Sequence, residues 1–472
     1  MVTPIDWASD VLPPRTAPWD LLVLGGGTAG IVAAKTAARL GEDVLLVERH
    51  RTGGDCLWTG CVPSKALLSR AHRPDATTLD FTTVMSEVHD AIATIEPVDS
   101  PQSLRDAGVV VVHGEGTFTG PASLEIGGEH VTFRHAVLAT GSSPLVPDVP
   151  GLDQVQVVTS DSVWSLTIRP ERLLVVGGGN IGCELGQAFA RLGTEVTVIE
   201  AGPRILARED ADAAAVLHSA LGADGIDVRT GVSLDRMESS EAVLSDGSRI
   251  PVTTVLLAVG RRPGTAGIGL DRAGVEVDDG GHVVLDPRLR TTNHRIWAAG
   301  DLTGHPALTH VAGVHGSQAA TNAVLGLRRA VDLATIPRVT YTQPEVAAFG
   351  MGADRVGIDG VIERTVHHDE VDRAVAEDRT EGFSRLVLDR KGRVVGATIV
   401  GPRAGESLAE VVLAARHGLR ARDLAASTHA YPTYGDGVWN ASLAQLREDL
   451  TGPWARRAVR LLRALRRLFR RT

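Results

Sequence analysis

Two stretches of this chain carry the same order of apolar and polar blocks. The first, WDLLVLGGGTAGIVAAKTAARLGEDVLLVERH, passes from a short apolar run through a glycine-rich turn into a helical segment, then into a second apolar run ending at Glu48. The second, RLLVVGGGNIGCELGQAFARLGTEVTVIEAG, repeats that order and ends at Glu200. Short apolar runs bounded by turns predict buried strands, and each stretch therefore predicts strand, turn, helix and strand. The turns read Gly25-x-Gly27-x-x-Gly30 and Gly177-x-Gly179-x-x-Gly182, and in both the acid follows the third glycine by 18 residues (48 − 30 and 200 − 182).

That combination predicts a dinucleotide site. The first glycine permits the tight turn, and the second lets backbone amides approach a pyrophosphate. The third lets helix and strand pack closely, and the carboxylate takes a ribose hydroxyl. Two such sites suggest two dinucleotides, one resident and one exchanging. Glu200 opposes a 2′-phosphate and favours NAD, while Arg204 four residues on is a counterweight that keeps NADP open. A further apolar run, in TTNHRIWAAGD, delivers Asp301 as a carboxylate for a polyol chain, or as a helix N-cap.

With 472 residues the chain exceeds one compact core, so roughly two to four domains are expected. No apolar run reaches the length of about 18–20 residues that a membrane-spanning helix needs. The opening segment lacks the pattern of a secretory signal, which together with three cysteines predicts a reducing, cytoplasmic setting. The net charge of −9 is uneven: residues 451–472 hold eight arginines and no acid, so the remainder sums to −9 − 8 = −17. Nothing in that acidic body suggests a nucleic-acid footprint. Two of the three cysteines, Cys56 and Cys61, lie in GGDCLWTGCVPSKAL, and a cytoplasmic pair of this kind is more often redox-active than structural. Neither a second cysteine pair nor a histidine pair completes a zinc site there.

With these features the chain resembles the class I pyridine nucleotide-disulfide oxidoreductases, which include dihydrolipoamide dehydrogenase, glutathione reductase and mercuric reductase. The likeness runs over residues 19–450 through GGDCLWTGCVPSKAL, ATGSSP, the second fingerprint, AVGRRP, IWAAGD and YTQPEVAAFG. It implies an α/β fold with two Rossmann-like dinucleotide-binding domains, for FAD and NAD(P), and a C-terminal α+β dimerisation domain. The expected division is 1–150 with 264–335 for FAD, 151–263 for NAD(P), 336–450 for dimerisation, and 451–472 as a basic amphipathic helix.

The resemblance also implies roles. Hydride from NAD(P)H reduces the flavin, which reduces a Cys56–Cys61 disulfide; Cys61 is the thiolate at the flavin and Cys56 the outer thiol that meets substrate. Lys65 and Glu184 match an ion pair beside the flavin. The flavin and nucleotide contacts fall on Gly25, Gly27, Gly30, Glu48, Gly54, Lys65, Gly116, Thr140, Gly141, Ser142, Asp301, Leu308 and Thr309, and on Gly177, Gly179, Gly182, Glu200 and Gly260. Cys183 reads as a small core residue.

The pattern departs from the family in STHAYPTYGDGVW. Disulfide-reducing relatives place a histidine before the proline and a glutamate five residues later, as acid–base pair across the dimer; here Tyr431 and Asp436 stand there. A phenol titrating near 10 is a poor base at neutral pH. His429, two residues earlier, is the alternative, since extended residues two apart point the same way; a structural histidine is the other reading. Segments 99–118 and 367–383 lean to the mercuric reductase branch, yet its C-terminal cysteine pair is missing. The acceptor is therefore a disulfide, a dithiol or a thiol-bound metal. Two alternatives stand beside it: a quinone-reducing diaphorase, or a tail-anchored redox-sensing or interaction protein. In the tail, Trp454, Ala458, Leu461, Leu462, Leu465, Leu468 and Phe469 recur at helical spacing, with Arg456, Arg460, Arg463, Arg467 and Arg470 on another face. This predicts contact with a membrane surface or an acidic partner, or a helix folded back on the chain's own acidic body.

Overall fold

In a computed structural model, residues 12–358 and 360–469 are described, except for the side chains of Trp454, Leu468 and Phe469. The chain divides into two compact units, Met1–Ala201 with Val232–Leu333, and Gly202–Gly231 with Ala334–Thr472.

The apolar runs of the first fingerprint become the central strands of a seven-stranded sheet. Trp19–Leu24 lies parallel between Val44–Glu48 and Glu129–Leu138, with Leu21 opposite Val44 on one side and His135 on the other. Val109–His113 extends the sheet beyond Val44–Glu48, and Ile296–Ala298 pairs in parallel with Glu129–Leu138. Leu21, Leu22, Val23, Leu45 and Leu46 are fully buried, since both faces of this sheet are covered. Each such side chain contributes about 1.5–3 kcal/mol relative to exposure. Helices Thr28–Arg39 and Thr309–Leu325 pack on it through buried alanines, Ala33, Ala34 and Ala37 facing Ala319 and Ala320. They approach so closely that a Cβ at Gly316 would lie 2.3 Å from the Ala29 carbonyl.

The second fingerprint builds a separate parallel sheet in the same unit, ordered Glu195–Glu200, Arg172–Val176, Thr254–Leu257, Gln156–Thr159. A short ribbon, Ser142–Pro144 against Arg261–Pro263, joins the ATGSSP and AVGRRP segments.

In the second unit an antiparallel sheet runs Arg338–Thr340, Glu345–Gly350, Val394–Gly401, Phe383–Leu388, Ile362–His367. Helices Ala404–Arg416 and Asp436–Thr451 cover it around Phe349, Leu386, Ile399, Leu408, Val411 and Val438. Segment 202–231 is held there by charge. Buried Arg385 reaches Asp210 at 3.3 Å and Asp212 at 2.7 Å, and Arg338 forks onto both oxygens of Glu209 at 2.9 and 3.0 Å. The chain continues into helix Pro453–Phe469. Among the described residues no helix is long and apolar enough to cross a membrane.

Candidate active site

Both glycine turns close on equivalent backbone carbonyls. Gly25 has φ +107°, and a Cβ there would sit 2.3 Å from the Ala139 carbonyl; at Gly30 it would sit 1.8 Å from the Gly25 carbonyl. Gly177 and Gly182 repeat these contacts on Ala258 and Gly177 at 2.5 and 1.9 Å. The middle glycines differ in kind. A Cβ at Gly179 would meet nothing within 4 Å, and at Gly27 only the Gly54 backbone at 3.8 Å. The helix N-terminus therefore opens onto free space in both copies, and the residues present fit a pyrophosphate there. The acids do more than wait for ribose. Glu48 accepts from the amides of Gly26 and His50, both at 2.6 Å, and Glu200 accepts from the Gly178 amide at 2.8 Å. Each carboxylate thereby braces the turn that it serves.

The cysteine loop lies directly on the first turn. Gly54, at φ +57°, packs so tightly that an added Cβ would be 2.6 Å from the Gly27 Cα. Cys56 sits on the short helix Gly54–Trp58, and Cys61 is the first residue of helix Cys61–Ala71. The Trp164 indole donates to the Thr59 carbonyl at 2.8 Å, and the Trp58 indole to Thr52 at 2.7 Å, so the loop is clamped on both sides.

The two sulfurs are free thiols, partly exposed and strongly unequal. A hydrogen bond from Cys56 holds Cys61 down to about 6, against the opposing effect of burial and with help from the Thr309 hydroxyl and the Lys65 ammonium. The Thr309 oxygen is 3.1 Å from the Cys61 sulfur. Cys56 is pushed well above the ordinary thiol range by its bond to Cys61 and by burial. Thr309, like Cys61, opens a helix, so two helix N-termini converge on one sulfur and favour its anion. One turn along, the Lys65 ammonium is 2.7 Å from the carboxylate of Glu184, whose side chain is 6% exposed. Cys183, its neighbour, is fully buried and its thiol is raised by desolvation, in keeping with a core role.

A second cluster was anticipated only at Ser142 and Asp301. Arg261, from AVGRRP, donates to Ser142 Oγ at 2.7 Å, to Ser160 Oγ at 3.2 Å and to the Asp55 carboxylate, and approaches Asp161 at 3.4 Å. Ser142 in turn donates to Asp301 at 2.7 Å. Asp55, next to Cys56, is raised to about 6 by burial and by Asp161, Asp301 and Glu48, which outweigh Arg261. An aspartate beside a cysteine in a glycine-rich loop was the available signal. Of the other expected contacts, Thr140 donates to the Gly264 carbonyl at 2.7 Å, Gly141 and Gly260 take left-handed backbone, and Leu308 is the extended cap before Thr309. Gly116 has a packing reason instead: a Cβ would press on Leu24 and Leu124 at 2.7 and 2.9 Å. Arg204 donates to the carbonyls of Ala207 and Glu209.

In the second unit the expectation that His429 and Tyr431 point the same way does not hold. The segment between helices Ala421–Ala425 and Asp436–Thr451 is irregular rather than a strand, so the two-residue period lapses. His429 is turned inward, stacked on Trp439, with Nδ1 3.1 Å from the Ser427 carbonyl and Nε2 3.0 Å from Glu410. Both ring nitrogens face acceptors. Tyr431 is 70% exposed and donates to Asp372 at 2.5 Å. Asp436 is buried and accepts from the Thr433 amide at 3.1 Å.

An open amide cradle at each of two nucleotide turns, and an unequal thiol pair seated on one of them, define a flavin- and pyridine-nucleotide-dependent oxidoreductase of sulfur groups. Comparison with known proteins agrees. Residues 19–316 match the pyridine nucleotide-disulphide oxidoreductase model, and residues 336–442 match its dimerisation domain. The chain is 35% identical over 449 residues to a mercuric reductase of Streptomyces lividans, covering 89% of this chain and 94% of that one. It is 34% identical over 456 residues to a dihydrolipoyl dehydrogenase of Geobacillus stearothermophilus, covering 90% and 95%. Among solved structures, the HOCl-induced flavoprotein disulfide reductase RclA of Escherichia coli superposes with a TM-score of 0.81 at 26% identity, over 89% of this chain and 99% of that one. The chain belongs to the pyridine nucleotide-disulphide oxidoreductase family, whose members use FAD and NAD(P)H, and its dimerisation domain supports a homodimer.

Proposed function

We propose that this enzyme reduces a small disulfide, or a thiol-bound metal ion, with Cys56 and Cys61 as its redox pair. The observation that carries the reading is the Cys61 sulfur, 3.1 Å from the Thr309 hydroxyl at the joint N-termini of two helices that favour its anion. Bound FAD would supply two-electron transfer from NAD(P)H to the cysteine pair. The turn at Gly25–Gly30, with Gly54, would seat its pyrophosphate, and Asp301 and Ser142 would take its polyol. Gly177, Gly179, Gly182 and Glu200 would hold the nicotinamide nucleotide.

With the pair reduced, the Cys56 sulfur attacks one sulfur of the substrate disulfide while its proton passes to the departing sulfur, releasing one thiol. The Cys61 thiolate then attacks Cys56, expels the second thiolate and closes the Cys56–Cys61 disulfide. Two electrons leave the protein with one substrate thiol and one thiolate, the latter taking its proton from water. A thiophilic metal ion would instead be taken between the two sulfurs, a class of substrate named in the mercuric reductase relatives. In this reading Tyr431 is the exposed group at the acid–base position, while His429 is a structural residue of the second unit, because Glu410 and Ser427 occupy its ring nitrogens.

The test is NADH-dependent turnover by Cys56→Ala with disulfides, Hg(II) and quinones. Loss of the first two supports the proposal, full disulfide reduction by the variant sinks it, and quinone reduction surviving at full rate favours the diaphorase alternative. Quinone reduction abolished along with the rest would also remove the diaphorase alternative. A cytoplasmic setting is part of the same proposal, supported by the low cysteine content. Peripheral membrane contact through 451–472 is a separate proposal, carried by the C-terminal helix alone.

A further inference from the structure

We propose that helix Pro453–Phe469 docks the protein on a membrane surface rich in anionic lipid, lying in the plane of that surface. The helix lies beyond both family matches, which end at residue 442, so the shared fold and chemistry do not account for it. It is not folded back on its own unit: Leu461 and Leu462 are 63% and 64% exposed, and Val459 and Leu465 40% and 41%.

The two faces of the helix are segregated except at Val459 and Ala464, which fall among the arginines. At about 100° per residue, Leu461, Leu465, Ala458 and Leu462 fall within an arc of about 100°, and Arg463, Arg456, Arg467 and Arg460 within about 60° on the far side. Arg457 and Arg466 stand at the two borders, where long stems lie along apolar surface while the guanidinium reaches polar groups. Leu468 and Phe469 continue the apolar series in sequence, but their side chains, like that of Trp454, lie outside the described set, as does residue Arg470.

Charge decides among occupants. The segment 451–472 carries eight arginines and no acid, against −17 for the rest of the chain. An acidic protein surface would satisfy the arginines and leave the leucines in water. An apolar groove would do the reverse. An anionic lipid interface satisfies both, with the leucines among the upper acyl chains and the arginines at the headgroups. Seventeen residues span about 25 Å and carry too many charges to cross the bilayer, so the helix lies on the surface.

The experiment is cosedimentation of the full-length, FAD-loaded protein with phosphatidylcholine vesicles, with and without about one third phosphatidylglycerol, at physiological salt. Binding to the anionic vesicles alone is expected. It should weaken at least tenfold in R456Q/R460Q/R463Q and at least tenfold in L461S/L462S/L465S, with NADH-dependent dye reduction unchanged in both. No binding of the wild-type chain to anionic vesicles would overturn the proposal. So would unweakened binding of the leucine variant, which would make the contact purely Coulombic. Conversion of that variant from dimer to monomer in light scattering would also overturn it, by assigning the apolar face to the subunit interface.

Discussion

Replacing Thr309 by valine keeps shape and volume and removes one hydroxyl, 3.1 Å from the Cys61 sulfur. A hydrogen bond to a charged group contributes about 1.5–3 kcal/mol. Sulfur is a softer acceptor and this site is partly exposed, so the lower end of that range, about 1.4 kcal/mol, is the better figure, or about one pKa unit. Cys61 then rises from about 6 towards 7, and its anionic fraction at pH 7 falls from roughly nine-tenths to one half. The assay is ultraviolet thiolate absorbance of the anaerobically reduced protein, titrated from pH 4.5 to 9. Thr309→Ser, which restores the hydroxyl, should titrate like the wild type. A midpoint for Thr309→Val within about 0.3 unit of wild type would refute the assignment of Thr309 to the thiolate and leave Cys56 and the helix ends as its support.

Three further outcomes are expected. Gly54→Ala must fit a Cβ 2.6 Å from the Gly27 Cα at a left-handed φ, so the purified variant should lose most of its flavin absorbance; full retention would show that the loop can move away from the turn. Lys65→Met leaves the buried Glu184 carboxylate without its ammonium and should cost about 2–4 kcal/mol in urea unfolding, with Lys65→Met/Glu184→Gln recovering part of it. His315 and His368 are each lowered to about 4, chiefly by burial. The unfolded chain, with histidines near 6.5, binds protons that the native chain refuses, so stability is complete above pH 6.5 and falls as pH drops towards 4. Urea midpoints at pH 7 and pH 5 read this directly, and His315→Gln should flatten the slope; an unchanged slope would show that His315 is not part of it.

Much of this site was legible in the chain because it is local. A strand, a turn and a helix within about 30 residues determine where a pyrophosphate can sit, and steric contact among their own backbones accounts for Gly25 and Gly30 wherever the segment is placed. The spacing of Cys56 and Cys61 on either side of a helix start is equally local. The direction of a side chain in an irregular segment is not, and the extended reading of His429 and Tyr431 failed for that reason.

Local order along the chain thus specifies two nucleotide turns, a thiol pair on the first of them, and a segregated basic helix at the end. Which groups lie against those features was decided by the packing of distant segments. Thr309 reaches Cys61 across 248 positions, Arg261 gathers Asp55 and Ser142 from 206 and 119 positions away, and Glu184 meets Lys65 across 119. Such pairs leave no periodicity, because a hydrogen bond or ion pair needs only one donor and one acceptor brought within about 3 Å by the packing of separate elements. The leucines of the last helix follow the same division: their spacing lies in the chain, while their exposure follows from the absence of a packed neighbour among the described residues.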